Sequence, residues 1–431
     1  MKILFITPGS GDSFYCGNCF RDNLQASALR NAGHEVIIMP LYLPLKQESF
    51  RANTPLFFPA TTYYVAQKFF GKRKMPQWMK KLTGSEAMLK IASSRSGTTS
   101  AKGMEDMTLS MIKGDDLAFM DHINQMINWI QTQEKPDIIH LSSTLIIGIA
   151  KVLRNRLNIP IICSVQDEEI WIDSLNKEDA SRAWQSITDN IGYIDHFITT
   201  SEFYKDVAMK RIPLREVAVI YPGVDCKKYA SEDYPKDPTI GFFYRMNREN
   251  GLDILAEAFV KLKKKNAIKN LKLKIGGGYT NENKQFLKEV KNTLTPYSAD
   301  VEISDSYSLE EQVRFYSEIS VISVPITFNE SVGLYLCEAF AAGRPAVEPA
   351  TGSFPEIVGE AGILYSPNNS DTLAETLEKL LTDTYQYNQS AEKAMELSST
   401  RYNEQILANQ LLALYEQHLQ RDIQEIKTDW L

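Results

Sequence analysis

The sequence predicts an α/β protein made of two domains, each built on a parallel β-sheet. Short apolar stretches that fit buried strands alternate with segments of helical periodicity, as at 137–141, 144–157 and 159–165. The chain has 431 residues, more than one ordinary hydrophobic core holds. A polar stretch at 226–238 is typical of a linker between two runs of this pattern. We therefore expect two Rossmann-like domains with helices on both faces of each sheet.

Composition excludes several classes of protein. A hydrophobic content of 43% and a charged content of 23% are those of a globular enzyme. The net charge of −7 argues against a dedicated nucleic-acid binder, which needs a basic face. Five cysteines do not form a disulfide framework, so we expect a cytoplasmic protein. The apolar start of the chain is too short for a signal peptide and fits a first strand, and no stretch is long enough for a transmembrane helix.

The chain opens with a predicted βαβ unit. We expect a strand at 3–7, a helix at 16–32 that ends at Gly33, and a second strand at 35–40. No G-x-G-x-x-G leads into this helix, which argues against a dinucleotide cofactor. Cys16 and Cys19 also fit a redox or metal pair, but a zinc site needs two further ligands and no second pair has suitable spacing. Packing beside a ligand site is the favoured interpretation.

The periodicity stops at about 42–116, which we interpret as an insertion into the first domain. Within it, 63–82 mixes aromatic residues with lysines and an arginine. One interpretation is a lid whose aromatics pack on the first domain. The other is an acceptor-docking surface that lies on an anionic membrane, at the inner membrane face.

Two polar groups follow neighbouring strands of the first domain. His140 lies near the end of the strand at 137–141, and Gln166 and Asp167 follow the strand at 159–165. Ligands of parallel sheets bind beyond the carboxyl ends of the strands, so these side chains are candidates for a ligand site. His140 fits either a catalytic or a structural histidine, and Gln166 cannot titrate.

The stretch from Phe328 to Ala339 carries the most informative pattern. Glu330 and Glu338 lie eight positions apart, with Gly333 between them and a helix-compatible run after it. If a helix begins near 331–333, its free amides lie between the two acids and form an anion site. Such a layout suits a nucleotide-sugar, whose hydroxyls and diphosphate need both kinds of partner. Solvated helix carboxylates are the plainer alternative.

Two further segments extend this pattern into a resemblance to a known family. Residues 339–347 are predicted to form a helix end, a glycine turn and a strand, and residues 350–358 form a glycine-containing loop. The block resembles the acid-x7-acid signature of the family 4 retaining glycosyltransferases. That resemblance implies the GT-B fold: two Rossmann-like domains facing across a cleft, with the last helix crossing back to the first domain. The implied domains are 1–225, 239–402 and a crossing helix at 403–431.

The resemblance also implies residue roles. Gly17 matches a glycine that approaches the donor phosphate, and Arg245 matches a cation on the diphosphate. Asn250 stands where relatives carry a lysine, so Arg248 could substitute if its side chain turned inward. The implied catalytic residues are Glu330, Arg245 and Asp167, and the implied acceptor-side residues are His140, Gln166 and Asp167. The implied donor-binding residues are Gly17, Arg245, Arg248, Asn250, Gly276, Glu330, Ser331, Val332, Gly333, Leu334 and Glu338.

The implied activity is transfer of a sugar from a nucleotide-sugar to an acceptor hydroxyl of a glycan, glycolipid or small molecule, with retained configuration. Glu330 would hold the sugar and Glu338 the ribose. We expect no metal and no other cofactor, because the arginine and the amides supply positive charge. A nucleotide-sugar epimerase of the same architecture and a non-catalytic nucleotide-sugar binding protein remain alternatives.

Overall fold

A computed structural model describes residues 1–8, 17–41, 105–114, 117–230, 235–305 and 308–428. Two six-stranded sheets lie within that part of the chain, and all of their strand pairs are parallel. This confirms the predicted α/β class with two Rossmann-like units. The predicted insertion at 42–116 falls largely outside the described residues, as do Cys16 and the whole of 63–82.

The first sheet has the order β2-β1-β3-β4-β5-β6. Its strands are β1 (Lys2–Thr7), β2 (Glu35–Pro40), β3 (Ile138–Leu141), β4 (Ile161–Val165), β5 (His196–Thr199) and β6 (Val217–Val219). The helices connecting them are α1 (Gly17–Asn31), α2 (Glu105–Lys113), α3 (Leu117–Thr132), α4 (Ala150–Leu157), α5 (Glu168–Ile172), α6 (Lys177–Asn190) and α7 (Glu202–Arg211), and α8 (Cys226–Tyr229) follows the sheet. Side chains from both faces of this sheet are buried, as predicted for a covered parallel sheet.

One predicted helix of this half, at 144–157, is only partly an α-helix. Thr144–Ile149 forms a 3-10 turn capped by Ser143, and α4 begins after it. The cause is a close approach of two backbones: a Cβ added to Gly148 would lie 2.4 Å from the carbonyl oxygen of Met111. Helical periodicity alone carries no information about such a crossing partner.

The second sheet has the order β12-β11-β10-β7-β8-β9. Its strands are β7 (Thr239–Phe243), β8 (Lys272–Gly276), β9 (Val301–Ile303), β10 (Val321–Ile322), β11 (Ala346–Pro349) and β12 (Gly362–Tyr365). Its helices are α9 (Leu252–Lys265), α10 (Lys284–Leu294), α11 (Leu309–Ser317), α12 (Leu334–Ala341), α13 (Phe354–Val358), α14 (Ser370–Thr382) and α15 (Thr384–Thr400). Helix α12 is buried at all eight positions, which places Glu338 of the predicted acid pair inside the molecule.

The last helix, α16 (Glu404–Thr428), returns to the first sheet. Its residues Leu407, Leu411 and Tyr415 pack in one core with Ile3 and Phe5 of β1. This confirms the predicted crossing. The boundaries drawn at 225, 239 and 402 stay predictions. Over the described ranges, no helix combines the length and apolar character needed to cross a membrane.

Candidate functional site

The carboxyl ends of the two sheets meet. The Oγ of Ser201, just after β5, donates a hydrogen bond to the backbone oxygen of Ser331 at 2.5 Å. The carboxylate of Glu356 accepts hydrogen bonds from the backbone N–H groups of Glu202 and Phe203, at 2.9 and 3.0 Å. Residues that follow β5 in the first half therefore contact Ser331, just before α12, and Glu356 of α13 in the second half.

Glu330 lies just before the start of α12 and is 5% exposed. Its Oε1 accepts hydrogen bonds from the backbone N–H groups of Ser331, Val332 and Gly333, at 3.2, 3.4 and 3.3 Å. Gly333 makes this loop possible, because its φ of 68° belongs to the left-handed region. Two of the amides predicted to receive a diphosphate thus contact the glutamate itself, an arrangement that the spacing of the acids did not predict.

Glu330 also lies near groups from both halves of the molecule. The hydroxyl of Tyr244, at the end of β7, donates to its Oε2 at 3.4 Å. The same hydroxyl lies 3.5 Å from where a Cβ on Gly17 would be, so Gly17 lies beside Tyr244, and its predicted contact with the donor phosphate stays a prediction. Burial, and next the charge of Asp167, raise the pKa of Glu330 to about 7. The structure thus brings Gly17, Asp167 and Glu330 together.

Glu338 lies on α12 and is 1% exposed. The hydroxyl of Tyr316 donates a hydrogen bond to its Oε2 at 2.7 Å. The charge of Glu338 also contributes, after burial, to a raised pKa of Tyr229. Both acids of the signature are therefore enclosed and hydrogen-bonded, which removes the alternative of solvated helix carboxylates.

Arg245 follows β7 and is 4% exposed. Its Nη2 donates to Thr280 Oγ1 at 3.2 Å. Asn250, which stands at the lysine position of relatives, is 3% exposed, and its Nδ2 donates to the Arg245 carbonyl at 2.8 Å. Asn250 thus ties the turn after β7 to Arg245 and supplies no charge of its own.

To bind the donor, Arg248 would have to turn inward. Its side chain faces outward instead. Its side chain is 61% exposed, and its guanidinium pairs with Asp253 at 2.6 Å and Glu289 at 2.9 Å. It also lies over the Phe286 ring, 4.8 Å from the centroid. Two acids and an aromatic face outside the site hold it there, so the cation missing at Asn250 is not replaced by Arg248.

Gly276 is the last residue of β8, and contacts within the sheet explain why a glycine is needed there. A Cβ at Gly276 would lie 2.6 Å from the Phe243 ring, and one at Gly277 would lie 2.3 Å from the Tyr244 carbonyl oxygen. The glycines let β7 and β8 approach each other, so close packing accounts for Gly276 without a ligand.

In the first half, Asp167 follows β4 and adopts a left-handed conformation with a φ of 52°, which is uncommon for a residue other than glycine. The next residue, Glu168, also follows this strand, but nothing in the sequence indicated its role. Its carboxylate is 1% exposed and accepts hydrogen bonds from Ser143 Oγ, Thr144 N and Gln166 N at 2.6–3.0 Å. Burial raises the pKa of Glu168 to about 7. Glu168 therefore fixes the turn that presents Asp167 and Gln166.

His140 is a structural histidine in this arrangement. Its Nδ1 is hydrogen-bonded to the Tyr415 hydroxyl at 2.6 Å and its Nε2 to Ser164 Oγ at 2.8 Å. Burial, and next the charge of Arg21, lower the pKa of His140 to about 3, so the ring is neutral. Of the two interpretations of His140, the contacts favour the structural one.

A group of buried polar atoms lies at the carboxyl end of the first sheet. Arg21 on α1 is 2% exposed and uses Nη2 to contact Asp22 and the Ser142 carbonyl. Within the described ranges, several buried atoms here have no hydrogen-bond partner: Arg21 Nε and Nη1, Thr7 Oγ1, Thr144 Oγ1, Gln166 Oε1 and Thr200 Oγ1. Buried polar atoms are nearly always paired, so this concentration makes the group a candidate partner for a polar ligand or ordered water.

Sequence reasoning missed Arg21, Tyr244 and Glu168. Tyr244 could have been found from its position directly after β7, but Arg21 lies inside a helix where no motif marks it. In the described part of the chain, no three His, Cys, Asp or Glu side chains at this junction lie in metal-binding geometry.

Comparisons with known proteins point to one family in both halves. Residues 237–383 match the family model described as glycosyl transferases group 1, and residues 112–228 match the model described as glycosyltransferase family 4. A D-inositol 3-phosphate glycosyltransferase of Corynebacterium urealyticum is 30% identical over 217 residues, 46% of this chain and 50% of that protein. Its counterpart in Corynebacterium aurimucosum is 24% identical over 57% of this chain and 64% of that protein. The chain thus spans about half to two thirds of the length of these relatives.

Solved structures share the fold over nearly the whole chain. Sucrose-phosphate synthase of Thermosynechococcus elongatus has a TM-score of 0.69 at 16% identity, covering 98% of this chain and 100% of that one. Anabaena HepE in complex with UDP and glucose has a TM-score of 0.63 at 16% identity, covering 96% and 99%. At such identities the likeness shows the fold alone.

Proposed function

The chain resembles the group 1 glycosyltransferases and has the GT-B fold, and from this premise we propose that it is a retaining glycosyltransferase. It would transfer a sugar from a nucleoside diphosphate sugar to an acceptor hydroxyl. The observation that carries the proposal is the position of Glu330. This buried carboxylate lies at a helix start, between Tyr244 of the second half and Gly17 and Asp167 of the first.

On the donor side, Arg245 and the amides at the start of α12 would bind the diphosphate. Glu330 would turn from the amides toward the hydroxyls of the transferring sugar, and the incoming phosphate would take its place as the anion at the helix start. Glu338, already positioned by Tyr316, would accept hydrogen bonds from the ribose. Fixed donors that stabilise the charge of a leaving group commonly lower the barrier of a reaction more than any other feature of an active site does.

On the acceptor side, the buried polar group around Arg21, Thr144 and Gln166 suits a molecule rich in hydroxyls. Asp167 would orient the attacking hydroxyl. The acceptor oxygen forms the new bond to the anomeric carbon on the face from which the nucleoside diphosphate departs. The acceptor proton leaves with the departing phosphate, and neither a metal nor another cofactor has a step in this scheme.

A donor screen followed by product analysis tests the proposal. UDP-, GDP- and ADP-glucose would be compared by the rise in melting temperature, since a ligand that binds only the folded form stabilises it. The best donor is then incubated with hydroxylated acceptors, including inositol phosphates because of the named relatives. We expect a glycoside with the donor's anomeric configuration by NMR. Inverted configuration would contradict the retaining mechanism.

A non-catalytic binding protein is the second candidate, because Asn250 supplies no charge and Arg248 faces outward. Tight donor binding without transfer or hydrolysis over hours would support it. Release of an epimerised sugar from the donor alone would instead support an epimerase. Glu392→Gln, an exposed acid on α15, is the matched control for every acidic variant at the site.

A further inference from the structure

A second cluster of side chains, all able to bind a metal ion, lies at the amino ends of strands in the first sheet. His196 begins β5, Glu216 precedes β6, and His418 lies on α16. These strands are parallel, so their amino ends are remote from the junction where Glu330 and Asp167 lie. The cluster therefore belongs to a different site, at which α16 crosses the sheet.

Two of the three distances between these side chains match the distances between ligands of one metal ion. His196 Nδ1 lies 3.3 Å from His418 Nε2 and 3.5 Å from Glu216 Oε2. One ligand atom from each residue can be chosen so that all three lie within 4.8 Å of one another. In a tetrahedral zinc site with bonds of about 2.0–2.1 Å, neighbouring ligand atoms are about 3.3–3.4 Å apart. Both short separations agree with that value.

The environment suits a metal ion as well. The His196 side chain is 11% exposed and His418 is 5% exposed, whereas the Glu216 side chain is 52% exposed and gives a route from solvent. Two imidazoles and one carboxylate are a ligand set that zinc uses, with water at the remaining position. Without a metal ion, His196 contacts both His418 and Glu216 directly, so zinc binding distinguishes a metal site from a group of hydrogen-bonded side chains.

We propose that His196, Glu216 and His418 form a zinc site that fastens α16 to the first sheet. The ion joins three segments that are distant in sequence, and its bonds would resist separation of the last helix from the domain it crosses. The ion would hold α16 in position against the first sheet and would take no part in the proposed sugar transfer.

The test uses the full chain without a histidine tag, dialysed against EDTA. Titration calorimetry with zinc chloride should give one ion per chain, and the melting temperature should rise by a few degrees with zinc but not with magnesium chloride. His196→Gln and His418→Gln should each weaken zinc binding at least tenfold and abolish the thermal shift. His122→Gln, a histidine of α3 outside the cluster, should behave as the unchanged chain does.

Glu216→Gln keeps the proposal testable if the histidine variants fail to fold. Glu216 is half-exposed, so its replacement disturbs no core. It should weaken zinc binding at least tenfold with the melting temperature of the metal-free protein unchanged. Cobalt should give the intense visible bands of tetrahedral coordination in the unchanged chain and lose them in the histidine variants. No zinc binding by the unchanged chain, or equal binding by His196→Gln and His418→Gln, would overturn the proposal.

Discussion

Glu168 and Glu330 are buried carboxyl groups in the two halves of the junction between the sheets. Each has a pKa raised to about 7, in both cases chiefly because burial disfavours the charged form. The folded state therefore binds these protons more tightly than the unfolded chain. Each raised pKa contributes stability that is present below the ordinary value of 4.5 and is lost as pH rises through about 7.

Glu168→Gln should flatten this pH dependence. Between pH 5 and 8 the unchanged chain should lose up to about 3 kcal/mol of stability through Glu168, which the neutral variant does not lose. His140, with its lowered pKa, acts in the opposite direction but equally in both proteins. Melting temperatures from calorimetry across this range give the slopes. A slope as steep in Glu168→Gln as in the Glu392→Gln control would contradict the assignment.

At the residue scale, site roles could be predicted for acids whose spacing along the chain fits a motif. They could not be predicted for acids that belong to no motif. Glu330 and Gly333 were predictable because eight-residue spacing around a glycine has a geometric meaning. Glu168 was not, because its role depends on Ser143 and Thr144, which reach it only when β3 and β4 lie side by side. The outward position of Arg248 likewise depends on Glu289, 41 residues away.

At the element scale, the start of α12 depends on the left-handed conformation of Gly333. Gly333→Ala should cost about 1–2 kcal/mol of unfolding free energy, since a Cβ is disfavoured at this φ and would lie 3.2 Å from Phe354. Gly192→Ala is the control, because nothing lies within 4 Å of the added carbon there. Denaturant unfolding measures both. Equal stability of the two variants would show that the conformation of Gly333 carries no cost.

The turn after β7 gives a second test at this scale. Asn250→Ala should weaken nucleoside diphosphate binding about five- to thirtyfold, because losing the hydrogen bond to the Arg245 carbonyl costs about 1–2 kcal/mol and loosens the arginine. Arg248→Ala should change affinity less than about twofold. Calorimetric dissociation constants decide between them, and the reverse order would restore Arg248 to the donor site.

Elements with strong periodicity and clear ends were predictable, as at the start of the chain, where strands predicted at 3–7 and 35–40 are observed as Lys2–Thr7 and Glu35–Pro40. Elements whose conformation depends on contacts with a segment distant in sequence were not predictable. The 3-10 turn at 144–149 follows from the contact between Gly148 and Gly114, and the short helix α5 follows from the hydrogen bonds of Glu168.

At the scale of the whole molecule, Glu356 connects the two halves. It accepts hydrogen bonds from the first amides of α7 and from the Tyr221 hydroxyl. Glu356→Ala should remove about 1–3 kcal/mol of this coupling, because three donors, none of them fully buried, lose their hydrogen bonds to a charged acceptor. Calorimetry should then show the two halves melting in separate transitions. Glu360→Ala, whose side chain is 83% exposed, should leave the profile unchanged, and a single transition in both would contradict a coupling role.

The twin-sheet architecture was predictable because alternating strands and helices have few parallel arrangements. The way the halves meet was not, since Ser201 and Ser331 are 130 residues apart and neither carries a motif for the contact. The proposed zinc site has the same character, because His196 and His418 are 222 residues apart and lack ligand spacing in the sequence.

The most direct test of the central claim is calorimetric binding of UDP and UDP-glucose to Glu330→Gln and Glu338→Ala, with turnover measured in parallel. Other nucleotides replace UDP if the donor screen selects them. The account predicts that Glu338→Ala weakens binding of the free nucleotide at least about tenfold. Glu330→Gln should keep nucleotide affinity within about twofold and lose most of the turnover. Unchanged binding and turnover in both variants would contradict it.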